Sequence, residues 1–246
     1  MRILIATLLL LMAPQFACAN EGGLKLLKAD VDLSDQASLQ RGARLFVNYC
    51  GSCHSAAYMR YNRIGADLGI SEELLKADLM FTTDKVGEPM RAAMPADDSK
   101  EWFGVTPPDL SVEARARGED WLFSYLHGFY KDPSKTTGVN NLYFPGAAMP
   151  HVLWELQGVK RAVFSTHTSP EGMQTQVFEH FENEIPGTLD EVQYERATRD
   201  LVGFMVYMGE PAKLVRYALG VKVLGFLFIF FVAAYLLKRE YWKDVN

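Results

Sequence analysis

The sequence is poor in three things, and each shortage removes a class of function. Basic side chains are outnumbered: 25 Lys and Arg stand against 30 Asp and Glu in 246 residues, with a pI near 5.6. A chain of that sign is a poor binder of nucleic acid, which is held mainly by neutralising phosphates. Cysteine is scarce, at 3 residues, too few for a four-cysteine structural zinc site. Strand-like alternation of useful length is missing, and no internal repeat is visible. The expectation is therefore an all-α body. Wholesale disorder is excluded by 49% hydrophobic and 22% charged residues.

What is present is unevenly placed. Met1-Arg2 is a basic start, Ile3 to Met12 is uncharged and mostly apolar, Pro14 interrupts it, and Ala17-Cys18-Ala19 offers a small-residue cleavage site. These are the parts of a secretory signal peptide, read as residues 1–19. Gln15 and Phe16 disfavour lipidation through Cys18. At the other end, Tyr217 to Leu237 carries Lys222 as its one charge and includes Phe226, Phe228, Phe230 and Phe231. That stretch meets the ~20 residues a spanning helix needs. Lys222 lies near its start, where a long side chain snorkels to the interface. Lys238, Arg239 and Lys243 follow, with Tyr241 and Trp242 among them. Positive charge and aromatic anchors place the tail, 238–246, in the cytoplasm. The body, 20–212, is then held on the outer side of the membrane. It is more acidic than the chain as a whole, which suits either a cationic partner or a merely soluble acidic surface.

With Cys18 in the leader, Cys50 and Cys53 remain, in Cys50-Gly51-Ser52-Cys53-His54. Cys-x-x-Cys-His is the attachment signature of haem c. Each thiol adds to one haem vinyl group, and the next residue offers an imidazole to the iron. A structural zinc site would need a second ligand pair, and a redox dithiol would need a thioredoxin-like βαβ context. Neither is visible. Ser38 to Tyr49 reads as a helix leading into the motif, with Leu39, Gly42, Leu45 and Phe46 at helical spacing. Asp190 to Glu210 reads as its partner, with Val192, Ala197, Leu201, Phe204, Met205 and Met208 in an apolar stripe that Pro211 ends. Gly42 is placed to let the two approach closely.

The other face of the iron needs its own ligand. Met59 is too near His54, and Met205 and Met208 belong to the packing stripe. Met80, Met90, Met94, Met149 and Met173 survive. Met149 has the best context, in Tyr143-Phe144-Pro145-Gly146-Ala147-Ala148-Met149-Pro150, where a Pro-Gly turn and a following proline stiffen the loop. Met94 follows Ala92-Ala93 and precedes Pro95, and is the strongest rival. His151 offers a bis-histidine alternative. His127, His167 and His180 have no special setting. Lys76 to Thr106 and Lys131 to Asn141 read as loops around the haem edge. Acidic clusters at Asp97, Asp98 and Glu101 and at Glu179, Glu182 and Glu184 read as solvated faces or as contacts for a basic acceptor.

The strings CGSCHS from Cys50, TPPDLS from Thr106, ARARGED from Ala114, LYFPG from Leu142 with Met149-Pro150, and Gly209-Glu210-Pro211 occur in this order before the apolar terminus. Together they resemble the cytochrome c1 family, the haem subunits of ubiquinol–cytochrome c reductase, from about residue 37 onward. The resemblance implies a cytochrome c-like haem domain on a single C-terminal transmembrane helix. It implies one covalent haem c held by Cys50 and Cys53, with His54 and Met149 as axial ligands. It places Arg117 near a haem propionate and Pro107 and Pro108 at the haem pocket. Three departures stand out. The segment from His54 to Met149 is shorter than in mitochondrial members. Trp121 stands where many members carry Tyr. The leader is bacterial in form.

The same resemblance implies the work. Single electrons would pass from the Rieske iron–sulfur protein through the haem to a c-type cytochrome acceptor. Quinol chemistry would belong to the cytochrome b subunit, so the chain is part of an enzyme with no catalytic chemistry of its own. Gly220 and Gly225 would let the anchor approach cytochrome b closely. A dimeric complex in the bacterial inner membrane, with the haem domain on the periplasmic side, is expected. Two alternatives are a membrane-tethered mono-haem shuttle to a terminal oxidase and a ligand-binding haem sensor with a labile sixth site.

Overall fold

A computed structural model describes residues 24–168 and 174–244; the expected leader and Met173 lie outside them. In chain order the helices are α1 (Gln36–Leu45), α2 (Tyr61–Leu68), α3 (Glu72–Asp78), α4 (Ala96–Phe103), α5 (Glu113–Arg117), α6 (Glu119–His127), α7 (Trp154–Gln157), α8 (Glu191–Gly209) and α9 (Lys213–Tyr241). The strands are β1 (Ala56–Arg60), β2 (Pro89–Met90), β3 (Phe129–Lys131), β4 (Val139–Asn141), β5 (Gly158–Thr168) and β6 (Gln174–Pro186), paired two by two as antiparallel ribbons.

The body is built on the crossing of α1 and α8. Asp35 starts α1 by accepting the Ser38 amide at 3.0 Å, and Asp190 starts α8 with a reciprocal capping box to Gln193. At the crossing, a Cβ on Gly42 would lie 2.0 Å from the Asp200 carbonyl oxygen and 2.8 Å from Phe204 Cβ. Only glycine allows that approach. Phe46 and Phe204 meet there at 5.6 Å between ring centroids, and both are fully buried. Burial of each is worth about 1.5–3 kcal/mol. Beside them the buried Asp200 carboxylate is satisfied from α1. Ser38 Oγ donates to it at 2.5 Å, and Arg41 donates through Nε at 2.6 Å and Nη2 at 3.0 Å. A buried charge is tolerated when its acceptor sites are filled in this way.

The predicted first helix changes form before it ends. From Phe46 to Cys50 the chain winds as a π-helical turn. Such turns are rare and cluster at functional sites. This one delivers Cys50 into the core and swings Gly51 to His54 out of the helix direction.

Mainly helical architecture with an apolar C-terminal helix bears out the expected fold class. The strands are an addition to it. Missing long strands were expected, yet β5 and β6 pair from Gly158↔Pro186 to Thr168↔Gln174. This ribbon escapes sequence reading because two register shifts, at Val159/Lys160 and Val163/Phe164, break its alternation, and because most of it is exposed. Its root packs on β3, where Tyr130 meets Phe164 edge-on at 5.9 Å. Two expected loops are also corrected. Lys76 to Thr106 contains α4, with Asp97 and Asp98 in its first turn, where carboxylates suit the helix dipole. Lys131 to Asn141 ends in β4. Of the second acidic cluster, Glu182 pairs with Arg161 and Glu184 with Lys131, so two of its charges are already matched.

Helix α9 averages 2.3 in hydropathy over its most apolar stretch, and none of that stretch is buried against the body. Among the described residues it is the one helix long and apolar enough to cross a membrane. It encloses the predicted span, Tyr217 to Leu237.

Candidate functional site

Cys50 is buried, Cys53 is half-buried, and the two are not joined as a disulfide. Burial pushes the Cys50 thiol up to about 12. Zinc binding and thiol exchange both use the thiolate, so this position suits a neutral thioether instead. No group of three or more His, Cys, Asp and Glu converges as a metal site among the described residues. That argues against the zinc reading of the motif.

The hydrogen bonds around His54 prepare its ring. Its Nδ1 lies 2.8 Å from the carbonyl oxygen of Pro108. A donating Nδ1–H leaves Nε2 as a free lone pair, the tautomer that ligates a metal. Burial holds the imidazole pKa below its ordinary value, partly opposed by the Pro108 carbonyl and by Glu113 and Asp109. The ring is therefore neutral near pH 7. Pro108 was expected at the pocket through the Thr-Pro-Pro-Asp string; what meets His54 is its carbonyl, and Asp109 fixes that segment. Asp109 accepts the Ala57 amide at 2.9 Å and the Ser111 amide at 2.8 Å, while the Leu110 amide donates to the Ser55 carbonyl at 2.8 Å. An apolar cleft of about 250 Å³ opens beside His54, lined among others by Phe46, Tyr61, Phe81 and Met90.

The two best methionine candidates are separated. The Met94 amide donates to the Ser52 carbonyl at 3.1 Å, which ties Met94 to the Cys–His segment itself. Met149 lies against α6, where Tyr125 donates its hydroxyl to the sulfur at 3.5 Å. The loop carrying Met149 is fixed by two buried asparagines. Asn141 Oδ1 accepts the Tyr143 and Phe144 amides at 2.9 and 3.2 Å, and its Nδ2 donates to the Tyr125 carbonyl at 2.7 Å. Asn140 Oδ1 accepts the Gly146 amide at 2.8 Å. Gly146 has φ of 79°, a left-handed turn that glycine takes without a Cβ penalty. His151, the bis-histidine alternative, is buried and stacks on Phe129 at 5.0 Å.

Arg117 lies with its guanidinium 4.5 Å over the Trp121 ring and 5.6 Å over Phe144, and its Nε donates to Glu113 at 3.2 Å. Trp121 stacks on Tyr125 at 5.2 Å. One aromatic group therefore joins Arg117, α6 and the Met149 loop. Tyr125, Asn140 and Asn141 were not singled out from sequence. A tyrosine at helical spacing reads as core, and nothing in an Asn-Asn pair reveals that both side chains turn inward.

The profile of the Cytochrome C1 family matches residues 28–245. The chain belongs to the cytochrome c1 family. Among its relatives, cytochrome c1 of Allochromatium vinosum is 48% identical over 246 residues, covering 100% of both chains. The ammonia monooxygenase gamma subunit of Nitrosomonas europaea is 47% identical, covering 97% of each. Cytochrome c1 of Rhodospirillum rubrum is 29% identical, covering 100% of this chain and 97% of its own. Membership in the cytochrome c1 family makes the chain a haem-bearing electron-transfer subunit of a bc1 complex, with a covalent haem c. The residues fit that group: two unpaired cysteines at the attachment spacing, an imidazole with Nε2 left free, and a thioether on a pinned loop.

Proposed function

We propose that this member of the cytochrome c1 family passes single electrons from a Rieske iron–sulfur protein to a c-type cytochrome, as part of a dimeric complex with cytochrome b. In this reading Cys50 and Cys53 would hold the haem, His54 and Met149 would ligate its iron, and Arg117 and Pro108 would act at its edge and at its histidine. When bound, the haem supplies one reversible electron step, and no bond is made or broken by the protein. The chain's residues exclude water, hold the His54 ring as a neutral acceptor through the Pro108 carbonyl, and present sulfur from a stiff loop. Sulfur opposite an imidazole favours a higher potential than a second imidazole would. Arg117, stacked and half-exposed, carries a fixed positive charge able to meet a propionate. The body faces the periplasm, and α9 anchors it in the inner membrane.

The observation that carries the reading is the pairing of a His54 imidazole oriented by Pro108 with free thiols at 50 and 53, in a chain the family profile covers to its apolar helix. The test is purification from membranes through a tag on this subunit. Cytochrome b and the iron–sulfur protein should accompany it, and the preparation should reduce a c-type cytochrome with quinol. Isolation as a lone haem protein, without quinol activity, would sink the proposal in favour of a tethered shuttle.

A further inference from the structure

We propose that Tyr125 is a positioning residue for the iron ligand: its hydroxyl donates to the Met149 thioether, orients the sulfur and withdraws electron density from it. The inference deepens the function proposed above and rests on Met149 being the axial ligand.

Geometry carries it. The Tyr125 oxygen lies 3.5 Å from Met149 Sδ and has no other hydrogen-bond partner among the described residues. A half-buried phenol packed among aromatic rings favours an acceptor, and here the acceptor is the sulfur. The ring cannot swing away. Trp121 lies flat on it at 5.2 Å and 7°, Phe129 meets it edge-on at 5.1 Å, and Phe144 edge-on at 6.4 Å. Phe144 belongs to the Met149 loop. The backbone carbonyl of Tyr125 also takes the Asn141 amide, so donor and acceptor share one brace.

The chemistry follows from the two lone pairs of a thioether. One would be free to face the metal while the other accepts the Tyr125 hydrogen bond. Poor hydration strengthens that bond. A sulfur drained of density donates less to ferric iron, so the reduced state gains relative to the oxidised state. A phenylalanine would fill the same space without this effect.

Tyr125→Phe in the full-length, haem-loaded protein in its membrane is the test. The ring and its packing are kept. The reduction equilibrium should shift three- to tenfold toward the oxidised form, about 30–60 mV lower at 59 mV per tenfold for one electron. The far-red sulfur-to-iron absorption band should persist, and cyanide or imidazole should displace the sixth ligand several-fold more readily. In a Met149→His background, Tyr125→Phe should have no further effect on potential, because the coupling runs through sulfur. An unchanged midpoint and unchanged displacement in Tyr125→Phe, with the band lost in Met149→Leu, overturns this inference alone. Persistence of the band in Met149→Leu overturns the ligand assignment and this inference with it. The iron–sulfur stretch of the unmodified protein gives a check that needs no variant: it should shift when the phenol is deuterated, and no shift overturns the proposal.

Discussion

Met149 and Met94 share the string Ala-Met-Pro, and their neighbours tell them apart. Met94 is tied by its amide to Ser52, inside the segment that carries His54; Met149 is held on α6 by Tyr125. Met149→Leu should abolish the sulfur-to-iron band and lower the potential, while Met94→Leu should leave both in place; visible spectra and a redox titration decide. His127 makes a different prediction at this scale. Burial pushes its imidazole down to about 4 from an ordinary 6.5, with Lys160 and Arg199 opposing the charge and Glu195 favouring it. Its Nδ1 is taken by the Phe123 carbonyl at 2.8 Å. The unfolded chain therefore takes up this proton first. Stability should fall as pH drops from about 6.5 toward 4 and level off below, a loss on the order of 3 kcal/mol from this group. Thermal melts of His127→Phe should lose that share of the pH dependence. Equal slopes in both proteins would show that burial does not hold the ring neutral.

The element that presents Met149 is the loop after β4, and its stiffness comes from Asn140 and Asn141 more than from proline. Asn141→Ala removes the acceptor for two loop amides and the donor to α6. The expected cost is roughly 2–3 kcal/mol, with the sixth ligand more easily displaced by cyanide at unchanged haem content. If displacement is unaltered, the loop is held by other contacts. At the α1–α8 crossing the constraint is steric. Gly42→Ala sets a methyl 2.0 Å from the Asp200 carbonyl, so the helices must separate, at about 1–3 kcal/mol or more. The thermal midpoint should fall accordingly, and a wild-type midpoint would mean the helices have room to spare.

At the scale of the whole molecule, α9 starts after Ala212 and has nothing buried along its apolar stretch. A chain ending at Ala212 should stay in solution without detergent and keep its haem, while the full chain stays with the membrane; the distribution between fractions reads this directly. Loss of the haem on truncation would show that α9 supports the body. Much of this plan was legible in the sequence, because it rests on local chemistry. The spacing of Cys50, Cys53 and His54 is fixed by the covalent reach of the backbone. The Gly42 contact announces itself by lacking a side chain on an apolar helix face, and a bilayer selects α9 by length and composition alone. What sequence could not decide was which polar groups distant along the chain pair with one another. The Pro108 carbonyl meets His54, the Tyr125 hydroxyl meets Met149, Asn140 and Asn141 turn inward, and β5 pairs with β6 across two register shifts. These depend on which polar groups folding leaves buried together and obliged to pair, and that is settled only when the chain has closed on itself.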